Sequence, residues 1–140
     1  MTANTNADYA AFLLRVSTGI LFLAHGLMKV MVFTIPGTVG FFDSLGLPAV
    51  LAYLTIIGEI GGGVLLILGV ATRLVSVALI PVLIGASWAH AGNGWSFSAA
   101  GGGWEYPVFW VIAQISVALL GAGAFAVRIP VVQSTLGKFA

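Results

Sequence analysis

Leu14-Arg15-Val16-Ser17-Thr18-Gly19-Ile20-Leu21-Phe22-Leu23-Ala24-His25-Gly26-Leu27-Met28-Lys29 is apolar enough to enter a membrane, yet it carries Arg15, His25 and Lys29. Ionisable groups are expensive in hydrocarbon and mark a site by default. At 100° per residue, Gly19, Phe22, Gly26 and Lys29 lie within roughly 40° of Arg15 around a helix, and His25 about 80° away. All three ionisable groups therefore share one side, which must face protein. The plainer reading is snorkelling: Arg15 and Lys29, near opposite ends, extend to the two headgroup layers and leave His25 as a satisfied interior residue.

Composition extends this reading to the whole chain. Of 140 residues, 60% are hydrophobic and 6% charged, and the mean hydropathy is +1.13, which excludes a soluble globular class. A formal net charge of +1 leaves no basic patch for nucleic acid. With no cysteine there is no disulfide, no thiolate metal site and no covalently attached haem, so redox chemistry needs a borrowed carrier. No metal site is expected.

Residues 1–8 form a polar leader without the features of a cleaved signal peptide. Four spans are expected, at about 9–33, 49–70, 74–91 and 104–127, each near the length needed for a hydrocarbon core of roughly 30 Å. Ile35-Pro36-Gly37 should end the first, and residues 38–48, with Phe41, Phe42, Leu45 and Leu47 beside Asp43, form an amphipathic surface stretch. Glu59 is the lone charge of the second span, beside a Gly58–Gly62 GxxxG spacing. A turn with Thr72 as cap leads to the third span, and a glycine-rich loop at 92–103 to the fourth. The expected fold is all-α: a single-domain integral membrane four-helix bundle. Arg15, Arg73, Arg128 and Lys138 fall at one face against Lys29 at the other, so the positive-inside rule places both termini in the cytoplasm.

Counting 1.5 Å per residue from the cytoplasmic ends places Arg15 and Glu59 at roughly 9 and 16 Å, within reach of an ion pair. That pair is either a register-fixing contact or part of a proton path. His25 falls at about 24 Å, His90 at about 27 Å, and Lys29 and Glu105 at about 30 Å, so these four are expected to line one polar pocket at the outer leaflet. Trp88, Trp95, Trp104 and Tyr106 form an aromatic belt at that level.

Several motifs recur together: His25-Gly26-Leu27-Met28-Lys29, Phe41-Phe42 with Gly46-Leu47-Pro48, Glu59 with Gly62-Gly63, Leu68-Gly69 with Thr72-Arg73, and Gly102-Gly103-Trp104-Glu105-Tyr106-Pro107. From about residue 13 to 121 the chain resembles the DoxX family of small bacterial membrane proteins, with no motif position departing from the pattern. The resemblance implies a four-helix bacterial inner-membrane protein related to the large subunit of thiosulfate:quinone oxidoreductase, with redox partner proteins and with Arg15, His25, Lys29, Glu59, Arg73 and Glu105 as motif positions. In a quinone site His25 and Lys29 would donate hydrogen bonds to the carbonyls, Glu105 or His90 would exchange protons with the outer aqueous phase, and Trp88, Trp104 and Tyr106 would stack on the ring. Ordinary interfacial anchoring is the simpler role for each aromatic alone. Three other readings stand beside the quinone one: a haem held by His25 and His90, a scaffold docking soluble or membrane redox partners, and a small-solute carrier. A homo-oligomer is compatible with each.

Overall fold

A computed structural model describes residues 5–139. The start of the polar leader, residues 1–4, and the side chain of Lys138 lie outside the described residues. The described residues form six α-helices and no strand. They are α1 (Asn6–Met31), α2 (Ile35–Ser44), α3 (Ala49–Leu68), α4 (Thr72–His90), α5 (Glu105–Leu120) and α6 (Pro130–Leu136).

The first span starts earlier than its apolar run because the leader supplies a capping box. Thr5 Oγ1 accepts from the Asp8 amide at 3.3 Å, and Asp8 Oδ2 accepts from the Thr5 amide at 2.7 Å. Ile35-Pro36-Gly37 opens a helix rather than closing one. Thr34, at φ 63°, caps α2 by accepting from the Gly37 amide at 3.3 Å, and Pro36 fits the first turn. Thr38 then donates to the Lys29 carbonyl at 3.0 Å, fastening α2 to α1. Thr72 is not the cap of α4: Ala71 holds that position at φ 48°, and the Thr72 hydroxyl is buried inside the first turn.

Asn6–Met31, Ala49–Leu68 and the stretch Thr72–Asn93 are long and apolar enough to cross a membrane, while α5 is a shorter apolar helix of 16 residues. At 1.5 Å per residue it is about 24 Å long. The fourth span was expected to reach residue 127. It stops at Gly121, φ 84°, where the chain turns back under the bundle. There the Ala124 amide donates to the Asp8 carbonyl at 3.0 Å and the Val127 amide to the Leu68 carbonyl at 2.9 Å.

Helix α1 packs mainly on α3, and α4 mainly on α5; α3 and α4 touch less extensively. Gly63 sets the first contact, since a Cβ there would lie 2.7 Å from the Leu23 amide nitrogen and 2.8 Å from the Gly19 carbonyl. This is the backbone approach that the Gly58–Gly62 spacing was expected to provide. Gly62 instead receives the Leu79 side chain of α4. Phe22, Leu66, Leu79, Leu83, Trp110 and Val117 fill the centre. Leu13, Ile20, Ile57, Val77, Ile84, Phe109 and Leu119 are exposed, the distribution expected of helices that meet lipid rather than water.

Candidate functional site: an ion pair on an apolar cavity

The expected pairing of Arg15 with Glu59 is not formed. Lys29 takes Glu59 instead, with Nζ 2.9 Å from Oε1 and 2.8 Å from Oε2. The reason is the register between α1 and α3. Gly19 lies against Gly63 and Ile67, and Gly26 against Ile60 and Glu59, so the helices are offset from the alignment obtained by counting from the span ends. The offset carries Glu59 up beside the last turn of α1, and it carries the C-terminus of α3 to Arg15.

Arg15 is fully buried among main-chain oxygens. Its Nε donates to the Ala122 carbonyl at 2.8 Å, Nη1 to those of Leu66 and Ile67 at 2.5 and 2.7 Å, and Nη2 to that of Ala124 at 3.2 Å. Two of these belong to the last turn of α3, where the helix dipole favours a cation; the Leu66 carbonyl also accepts from the Gly69 amide at 3.1 Å. The other two hold the turn after α5. Gly69, φ 78°, packs directly on the guanidinium.

Lys29 and Glu59 line a cavity of about 1060 Å³ between α2, α3 and α4. Its wall is apolar apart from this pair, Thr55 and His90, with Phe41 and Phe42 on one side and Leu79, Pro81 and Trp88 on the other. The limited contact between α3 and α4 opens it, and α2 roofs it.

The four residues expected to share an outer pocket are not brought together. Lys29 and His90 line the cavity, whereas His25 and Glu105 do not. His25 Nδ1 is 2.8 Å from the Leu21 carbonyl of its own helix, with its ring edge-on to Trp110 at 5.1 Å. Because a carbonyl can only accept, Nδ1 carries a proton and donates it to Leu21. His90 Nδ1 donates to the Gly102 carbonyl at 3.0 Å by the same argument, and the Glu105 carboxylate accepts from the Phe97 amide at 2.7 Å. These two close the 91–104 loop. Asn93 helps by donating to the carbonyls of Gly101 and Gly102 at 3.1 and 2.9 Å. Of the ring-stacking candidates, Trp88 lines the cavity; Trp104 packs on Trp95 at 4.5 Å and Tyr106 on Trp110 at 5.8 Å.

Reading the sequence overlooked a second polar cluster. The carboxamide of Gln114, the hydroxyls of Thr72 and Ser76, and the indole nitrogen of Trp110 are buried without a protein hydrogen-bond partner. An unsatisfied buried group costs about 1–3 kcal/mol. The signal was a glutamine within the apolar Val108–Leu120 part of α5, where Ser116 is the only other polar residue.

Apolar helices that present aliphatic side chains outward, around a charge pair at an apolar cavity, define a small helical membrane protein. The chain belongs to the DoxX family, whose profile matches residues 10–92. That range holds Arg15, His25, Lys29, Glu59, Trp88 and His90, and it stops before Trp104, Glu105 and Tyr106. A Bacillus subtilis (strain 168) protein named "Putative oxidoreductase CatD" is 46% identical over 83 residues, which cover 59% of this chain and 60% of that relative. The matched part thus spans less than two thirds of the relative's length. No solved structure matches the chain.

Proposed function

We propose that the chain is a quinone-linked redox subunit of the bacterial inner membrane, with both termini cytoplasmic, and that its ligand lies in the Lys29–Glu59 cavity. The observation that carries this reading is an ion pair on the wall of a large apolar cavity. A volume of about 1060 Å³ accommodates a substituted ring and the start of a lipid tail. The side chains fit the chemistry as well: Lys29 supplies a charged donor for a ring carbonyl, Glu59 a group able to hold or release a proton, and Trp88 an aromatic face. A quinone supplies two-electron, two-proton carrier chemistry. Redox chemistry is in line with the name of the Bacillus relative, "Putative oxidoreductase CatD", and the electrons would come from a soluble redox partner. Orientation rests on Arg15, Arg73 and Arg128 at one end of the bundle.

Binding of a short-chain quinone to detergent-purified protein, read by calorimetry and by quenching of Trp88 fluorescence, tests the site. Lys29→Gln together with Glu59→Gln, which leaves no stranded charge, should weaken binding at least tenfold in a folded protein. Unchanged affinity in that double variant overturns the reading.

A further inference from the structure

We propose that the seam between α4 and α5 holds a file of bound water, running from the Arg73 end of the bundle to His25. Thr72 and Ser76 are one helical turn apart on α4, and Trp110 and Gln114 one turn apart on α5, so each pair shares a face. The two helices run antiparallel: Gly121 at the end of α5 abuts Arg73 at the start of α4, and His90 at the end of α4 abuts Gly102 before α5. Measured from that lower end at 1.5 Å per residue, Thr72 stands at about 0 Å, Ser76 at about 6 Å, Gln114 at about 9 Å and Trp110 at about 15 Å. The four polar residues therefore form a ladder.

Their polar atoms are buried, and none makes a hydrogen bond to a protein partner, including one another. Groups that line one seam yet stop short of bonding one another are bridged by small polar molecules, and buried water takes two to four such partners. The chemistry is complementary along the ladder. Hydroxyls and a carboxamide both donate and accept, and the indole N–H donates.

Both ends of the ladder are polar. The lower end meets a cavity of about 510 Å³ whose wall includes Asp8, Ala71, Arg73, Gly121, Arg128 and Gln133. At the upper end Trp110 touches His25, whose Nδ1 is held by the Leu21 carbonyl of its own helix, leaving Nε2 for the file. His25 precedes Lys29 by one turn. Resting on the quinone reading above, the file delivers protons from the Arg73 end toward the Lys29–Glu59 pair; the hydration itself does not depend on that reading.

Exchange of the Trp110 indole N–H into D2O tests the file on the whole chain in nanodiscs, with 15N-labelled tryptophan and Trp110→Phe to assign the signal. The Trp110 N–H should exchange at least tenfold faster than backbone amides in the middle of α5 and should show a cross-peak to water. In the Ser76→Ala, Gln114→Leu double variant exchange should slow at least tenfold. Exchange as slow as the α5 amides, with no water cross-peak in the unmodified chain, overturns the proposal whatever the variant does. Loss of the file with quinone binding intact would remove the proton route and leave the proposed cavity standing.

Discussion

The two cations of α1, Arg15 buried and Lys29 half-buried, lie at opposite ends of one helix and are treated in opposite ways. Arg15 is held by four carbonyls from α3 and from the turn after α5, and its planar fork with five donors suits that task. Lys29 has a single side-chain partner, Glu59, on the wall of a cavity. Arg15 is thus a fastener that joins three chain segments. Lys29 is a charge that a ligand can reach. A charge in a membrane helix therefore does not by itself mark a site; the chemistry of its partners decides.

The sharpest way to break this contrast is to remove Arg15. Arg15→Gln should destabilise the protein by on the order of 4 kcal/mol, since the carbonyls of Leu66, Ile67, Ala122 and Ala124 lose a charged donor. Thermal unfolding in detergent measures this, and Arg15→Lys should recover little because one ammonium cannot span the same carbonyls. A variant as stable as the unmodified protein would show that Arg15 fastens nothing.

Glu59→Gln should cost less, about 2 kcal/mol, because Lys29 retains partial exposure and can relax toward the cavity. Lys29→Gln in the same chain should restore part of that loss, giving a coupling energy above about 0.5 kcal/mol in a double-mutant cycle. Arg15→Gln with Glu59→Gln should add within about 0.5 kcal/mol, since the two share no partner. Strong coupling between Arg15 and Glu59 would restore the pairing expected from the sequence.

The register behind the contrast can be tested more gently. Gly63→Ala should cost about 1–3 kcal/mol, because the new Cβ meets the main chain of Leu23 and Gly19 rather than a yielding side chain. Gly61→Ala, with nothing within 4 Å of its Cβ, should be neutral or stabilising by up to about 1 kcal/mol. Equal effects at both positions would mean that α1 and α3 do not meet at Gly63.

Ile35-Pro36-Gly37 and Thr72 were misread, whereas the apolar runs and the lone charges were legible in the sequence, and so were the all-α class, the four apolar segments and the short amphipathic stretch before α3. These follow from local periodicity and composition, which each segment carries by itself. Membership of the DoxX family was legible in the motifs joined along the chain. Which charge meets which was not. Counting from span ends assumes helices in vertical register, and a glycine contact between Gly19 and Gly63 shifts that register enough to exchange the partners of Glu59. The loop contacts of His90 and Glu105 were hidden for a related reason, because backbone carbonyls and amides, which every residue carries, compete with ligands for the same side chains. Composition and spacing determined what this chain is made of and which of its segments are apolar enough to cross a membrane. Only the packed helices decided which polar groups are left free for a ligand, because that depends on contacts between residues tens of positions apart.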